Sequence, residues 1–312
     1  MARIGSVVLG AVVALGSMAV PAASPAPAQA PISRYVALGD SFTAGPLIPT
    51  QLDDPVGCFR SDHDYPHLVA ASLHIPSFLD ASCSGAMTDD MTSPQHVNPG
   101  PDNPPQLDRI DAQTQLVTIG IGGNDIGYSQ IIQTCATTNR SGTPCQDHFV
   151  HGNDDEISDR IAAAAPKIVD VLAEIHSRAP DARVFLVNYL SVLPETGSGC
   201  FPQMPFADAD VPYLRAKEHE LNEMLAKQAA ADDVVLVDAF AASLGHDACQ
   251  APEVRWIEPL ATASPAAPGH PNRLGMECTA VVVLAAVAPG APADPALCAP
   301  PAAVVAVPQF TG

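Results

Sequence analysis

Tyr35-Val36-Ala37-Leu38-Gly39-Asp40-Ser41-Phe42-Thr43-Ala44-Gly45 reads as a buried strand that breaks at a glycine into a serine opening a helix. The apolar run from Tyr35 to Leu38 is strand-like, and Gly39 allows the tight turn that follows it. Ser41 then stands where unpaired helix N–H groups and the helix dipole favour negative charge. That is a suitable place for a serine whose attack creates an oxyanion. Ser41 is therefore the candidate nucleophile.

Outward from this stretch, apolar segments at residues 75–79, 115–121, 183–190 and 234–237 read as further strands. Between them lie helical patterns. Ile157, Ile161, Ile168, Val171, Leu172 and Ile175 recur at helical spacing and predict a long amphipathic helix over residues 154–178, with a kink expected at Pro166. Residues 208–231 and 272–287 predict two more helices. Residues 93–108 and 128–153 are polar and aperiodic and read as loops, the second tied by a local disulfide. Strands alternating with helices imply βαβ crossovers and a parallel sheet covered on both faces. The expected fold is α/β, a three-layer, flavodoxin-like arrangement with a five-stranded sheet. Sites in such sheets form beyond the carboxyl ends of the strands. Ser41, Gly85 and Asn124 all follow predicted strands and so share one rim.

The chain has 312 residues, of which 47% are hydrophobic, enough for one sizeable core. Its formal charge of −20 with only 14 Lys and Arg excludes a partner bound through a phosphate backbone, so no nucleic-acid partner is expected. Arg3 precedes an apolar stretch over residues 4–20 that breaks at Pro21, followed by small residues at Ala26, Ala28 and Ala30. Residues 1–30 are thus expected to be a secretory signal peptide cleaved near 28–30, with no stable membrane span. The catalytic domain is expected over 31–288 and a Pro/Ala-rich tail over 289–312.

Eight cysteines in a chain with an export signal favour disulfides, although eight allow about a hundred connectivities and the sequence alone does not choose. No metal site and no cofactor are expected. There is no C-x-x-C, and Pro66 is expected to interrupt any helix carrying His63 and His67.

Gly39-Asp40-Ser41, Cys83-Ser84-Gly85-Ala86, Gly122-Gly123-Asn124-Asp125 and His270-Pro271-Asn272 occur in this order along the chain. Any one of these is weak, but four in order resemble the blocks of the SGNH, or GDSL-type, hydrolases, and in particular their secreted actinobacterial lipases and esterases. The likeness spans about residues 34–287. It implies that Ser41 is the nucleophile and His270 the general base. It also implies an oxyanion hole formed by the Ser41 and Gly85 N–H groups and the Asn124 amide. Asp40 and Asp125 adjoin these positions and are expected to hold turns by hydrogen bonds to backbone N–H groups. The same branch implies the disulfides Cys58–Cys83, Cys135–Cys145 and Cys200–Cys249, with Cys278–Cys298 as an additional pair.

One position departs from the family pattern. An Asp usually stands three residues before the histidine, and here that residue is Ala267. A main-chain carbonyl can hold the imidazole instead, and Ala267 is the expected one, ahead of Asp247 or Glu258 folding back.

The expected function is a secreted serine ester hydrolase, extracellular or cell-wall associated and monomeric, cleaving acyl esters or lipids through an acyl-enzyme. A phospholipase A-type enzyme and a carbohydrate acetylesterase are the alternatives, and a catalytically silent binding protein is the rival from another class. The 5% aromatic content and single Trp256 supply no evident sugar-stacking platform. Trp256 is expected in the core or a pocket wall, and loops 46–64, 93–108 and 190–207 are expected to shape the pocket.

Overall fold

A computed structural model describes residue 1, residues 31–261, residues 264–290 and residue 298. The proposed signal peptide and nearly all of the tail lie outside these. The chain enters the sheet as β1 (Arg34–Gly39) and turns straight into a four-residue helix, α1 (Ser41–Ala44). It continues through α2 (Tyr65–Ser72), β2 (Ser77–Asp80), β3 (Leu116–Gly120), α3 (Tyr128–Cys135) and α4 (Pro144–Phe149). A small ribbon, β4 (Val150–His151) with β5 (Asp154–Asp155), leads into the long α5 (Glu156–Arg178). Then follow β6 (Arg183–Val187), α6 (Val211–Ala231), β7 (Val235–Val237), α7 (Ala239–Ala242) and α8 (Arg273–Val287).

The five long-range strands pair in parallel in the order β2-β1-β3-β6-β7. Every residue of β3, and all of β1 after Arg34, is buried, because α5 packs with α6 while α2 packs with α8 and the sheet lies between helices. The order reverses between β1 and β3: the chain leaves β1 toward β2 on one side and builds β3, β6 and β7 on the other. Ligands of open parallel sheets sit at this reversal, outside the strand ends. The α/β fold and five strands match the expectation.

Glycine is required where the two central strands stop. Gly39 stands in register with Gly120, its φ is +153°, and a Cβ there would lie 2.2 Å from Thr43 Oγ1 and 2.8 Å from the Gly120 carbonyl. The Gln106 side-chain amide brackets the turn, accepting from Gly39 N at 2.8 Å and donating to Gly39 O at 2.9 Å.

Two expectations change. Residues 128–153 are not a loop: they form α3, α4 and the ribbon, with Ile131, Cys135, Cys145 and Phe149 buried. Helices of eight and six residues are too short for their period to show in a polar sequence. No helix carries both His63 and His67, as expected, because α2 begins after His63, but Pro66 is not the breaker. It sits in the first turn of α2, where its missing N–H costs nothing, behind the N-cap Asp64 that accepts from His67 N at 2.9 Å. Pro166 lies inside α5, which continues through it as one 23-residue helix. The buried face of α5 is the one the spacing predicts, Ile157 to Ile175.

All four expected disulfides are formed: Cys58–Cys83, Cys135–Cys145, Cys200–Cys249 and Cys278–Cys298. No helix among the described residues is long and apolar enough to cross a membrane.

Candidate active site

Ser41 is the first residue of α1, and its position is fixed from below by Asp40. The Asp40 carboxylate caps the helix by accepting from Phe42 N at 2.9 Å, and its second oxygen accepts from the Tyr189 hydroxyl. Tyr189, just beyond β6, in turn accepts from Gly123 N at 2.6 Å. This chain of bonds ties the turn after β1 to the turn after β3. Burial pushes the Asp40 carboxyl up to about 7, opposed by the Tyr189 hydroxyl and the Phe42 N–H. Asp40 therefore holds the nucleophile's turn, as expected.

His270 comes from 229 residues further along and places Nε2 2.8 Å from Ser41 Oγ. Its ring lies beside Phe42 and Tyr128, with centroids 5.3 and 6.1 Å away. Burial lowers its pKa, partly countered by the carbonyl on Nδ1, so the imidazole is neutral and able to accept a proton. That carbonyl belongs to Pro268, at 2.9 Å from Nδ1. The expected Ala267 carbonyl is already engaged, accepting the backbone N–H of His270 at 3.2 Å. The four residues Ala267-Pro268-Gly269-His270 form a tight turn with Pro second and Gly269 third at φ +72°, the pattern of a type II turn. Its central peptide presents the Pro268 oxygen to the ring. Neither alternative carboxylate serves the ring: Asp247 accepts from Cys249 N and the Gln250 amide, and Glu258 is gripped by Arg255 at 2.6 Å and the Asn272 amide at 2.9 Å. Glu258 instead supports the loop through its backbone, which bonds Gly269 N and His270 O, each at 2.9 Å.

The loop after β2 brings Gly85 to the same rim. Cys83 is bridged to Cys58, Ser84 N donates to Cys58 O at 2.9 Å, and the Gln95 amide donates to Ser84 O at 2.9 Å. Asn124, beyond β3, donates one amide hydrogen to Ala86 O at 2.9 Å and keeps a second. The N–H groups of Ser41 and Gly85 donate to no other group among the described residues. Asp125 does not close its own turn. It accepts from the Thr88 N–H and hydroxyl and lies 3.5 Å from Lys167, holding the segment after the Gly85 loop against β3.

A serine bonded to a neutral imidazole, beside free donors from three strand ends, can carry out acyl transfer. The model of the GDSL-like lipase/acylhydrolase family matches residues 37–278. The chain belongs to that family. It is 39% identical over 283 residues to lipase 2 of Streptomyces coelicolor, covering 86% of this chain and 92% of that protein. Its fold overlays the extracellular lipase of Streptomyces rimosus with a TM-score of 0.66 at 26% identity, covering 82% of this chain and all of that one. Phospholipase A1 of Streptomyces albidoflavus shares the fold, with a TM-score of 0.68 at 24% identity over 82% of this chain and 100% of that one. As a GDSL-like lipase/acylhydrolase of the lipase and esterase type, the protein is a carboxylic ester hydrolase and its substrate is an ester. Its disulfides and its likeness to an extracellular lipase are consistent with secretion.

In this GDSL-like enzyme a largely apolar cavity opens beside Ser41. Its walls come from α3 (Ile131, Ile132), α6 (Leu214, Leu221) and the segment after β6 (Leu193, Phe206). Of the three loops expected to shape the pocket, only 190–207 does so. Loop 46–64 pairs with itself through Gln51 and Ser61, and loop 93–108 through Gln95 and Asn103, lying under the Gly85 loop. Trp256 is buried in the core, stacked on His246 at 4.4 Å, and does not line the cavity.

Two residues of the site went unread in the sequence. Tyr189 links Asp40 to Gly123, and Tyr128 donates to the Gly269 carbonyl at 2.7 Å, bracing the histidine turn. Their signal was only positional: one follows a strand end, the other stands four residues after Asn124.

Proposed function

We propose that this protein is an exported esterase that cleaves aliphatic acyl esters through a Ser41 acyl-enzyme. His270 takes the Ser41 proton as the hydroxyl attacks and returns it to the leaving alcohol. The N–H groups of Ser41 and Gly85, with the remaining amide hydrogen of Asn124, receive the carbonyl oxygen as it becomes an alkoxide. The Pro268 carbonyl keeps the proton of the neutral ring on Nδ1, leaving Nε2 free as the base, and stabilises the imidazolium that forms. The observation that carries this reading is the 2.8 Å contact between His270 Nε2 and Ser41 Oγ at the mouth of an apolar cavity.

The apolar lining of that cavity, with Ile131, Leu193, Leu214 and Leu221 beside Ser41, favours an aliphatic acyl group. The ester can be a lipid, a glycerophospholipid included. Residues 1–30 direct export, residues 31–288 form the catalytic domain and residues 289–312 a tail. The amino terminus of the mature protein from culture medium should then lie near 28–30.

Hydrolysis of p-nitrophenyl esters by the wild type and by Ser41→Ala tests the mechanism. Loss of the nucleophile should lower kcat by at least roughly 10⁴-fold. Equal activity of the two proteins would refute it.

A further inference from the structure

The cavity beside Ser41 is lined mostly by apolar side chains, with the carboxyl groups of Asp40, under Ser41, and Glu218, on α6, in different parts of its wall. One stripe of α6 faces it, Leu214, Lys217, Glu218 and Leu221, at spacings of three and four residues. The ammonium of Lys217 is engaged elsewhere, 2.8 Å from both Asp155 and Glu220, so its stem is the part available to the cavity. Glu218 differs. Its carboxyl accepts from Val192 N at 2.8 Å and from Leu193 N at 3.3 Å, and both residues are themselves part of the cavity wall. The carboxyl thus staples the loop after β6 to α6 while bordering the space an acyl chain would fill.

The charged and titratable groups around Glu218 come from three other directions. Tyr128 approaches from α3, Glu195 from the loop after β6, and Asp247 from the segment beyond α7. On α6 itself, His219 is turned to Glu195 at 3.1 Å. Burial, with smaller contributions from Asp247 and Glu195, pushes the Glu218 carboxyl up to about 8, against the pull of the two N–H groups.

We propose that Glu218 makes acyl-chain-length selectivity depend on pH, admitting long aliphatic chains while it is neutral and rejecting them once it is ionised. This rests on the reading of the cavity as the acyl site. A chain long enough to cover Glu218 strips water from it, which costs little for a neutral, hydrogen-bonded carboxyl and much for a carboxylate. Long-chain binding and protonation of Glu218 are therefore linked. A short acyl group stops before α6, leaves water over the carboxyl and is indifferent to its charge.

The experiment compares kcat/KM for p-nitrophenyl decanoate and p-nitrophenyl acetate, both kept below micelle formation, across the neutral and alkaline range. Taking their ratio cancels the titrations of His270 and of Asp40, which act at the scissile ester and are shared by both substrates. With a midpoint near 8, the wild-type ratio should fall roughly tenfold between about pH 7 and about pH 9. In Glu218→Gln, whose amide oxygen still accepts from the loop, the ratio should stay flat. Asp247→Asn removes a negative neighbour and should move the midpoint to lower pH, which keeps the idea testable if Glu218→Gln does not fold. A flat wild-type ratio, or a Glu218→Gln ratio that keeps the wild-type slope, overturns the inference. Absence of any ester hydrolysis would instead refute the acyl-enzyme reading, so the two failures are distinguishable.

Discussion

Replacing Gly269 by alanine should disarm His270 while leaving the fold standing. Gly269 has φ +72°, and an alanine Cβ there would lie 3.1 Å from Leu260 Cδ2 and 3.3 Å from the Tyr128 oxygen. The left-handed conformation alone costs alanine roughly 1–2 kcal/mol. A cheaper response is to rotate the peptide between residues 268 and 269, converting the type II turn to type I. That keeps the bond from His270 N to Ala267 O but carries the Pro268 carbonyl away from Nδ1. A hydrogen bond to a group that becomes charged is worth about 1.5–3 kcal/mol, so kcat should fall roughly 10- to 150-fold with KM little changed. Steady-state kinetics on p-nitrophenyl butyrate reads this, and a thermal melt should show a loss of about 2–8 °C. Gly269→Asn, which tolerates positive φ better, should retain more activity than Gly269→Ala. A Gly269→Ala enzyme with wild-type kcat would refute the claim that the Pro268 carbonyl orients His270.

Three further predictions follow from the same geometry. Asn124→Ala should lower kcat by about 10²–10³-fold with little change in KM, since the amide acts on the developing oxyanion; a change confined to KM would contradict that role. Because desolvation lowers the His270 pKa, kcat/KM for p-nitrophenyl acetate in Asp40→Asn, where the Asp40 titration near 7 is removed, should drop only below the ordinary imidazole value; an acid limb at or above about 6.5 in that variant would contradict the neutral base. Asp64 is buried with its pKa raised by desolvation and by Asp80, and the second oxygen of each carboxyl lacks a hydrogen-bond partner. A raised carboxyl pKa gives stability that is fullest at acid pH and is lost as pH rises through the folded value. Asp64→Asn can cap α2 equally well and donate to Asp80 at every pH, so it should raise Tm at alkaline pH and flatten its decline; a lower Tm at alkaline pH would contradict the neutral carboxyl.

The central fold was legible because its signals are dense and local. Tyr35 to Leu38 and residues 115–121 admit no reading but buried strands once helical patterns separate them, and α5 shows its buried face in six apolar positions. Ser41, Gly85, Asn124 and His270 were legible through their blocks, and the structure brings all four to one rim. What escaped depends on contacts between distant segments. The cavity is walled by α3, α6 and the loop after β6, and no single stretch of sequence announces that they face one another. Tyr189 reaches Asp40 across 149 residues. The choice between the Ala267 and Pro268 carbonyls was in the sequence, since Pro-Gly at the centre of four residues signals a turn that consumes the first carbonyl. Pro66 is the reverse lesson: proline after an N-cap starts a helix rather than stopping one.

The most direct test of the account is to catch the acyl group. Acid quenching during turnover of a p-nitrophenyl ester, followed by peptide mass analysis, should find one acyl group on the peptide bearing Ser41 in the wild type and none in Ser41→Ala. In Gly269→Ala the same adduct should form on Ser41 but turn over more slowly, because His270 has lost the carbonyl that orients it in both half-reactions. An acyl group on any other residue, or undiminished turnover in Ser41→Ala, would contradict the account.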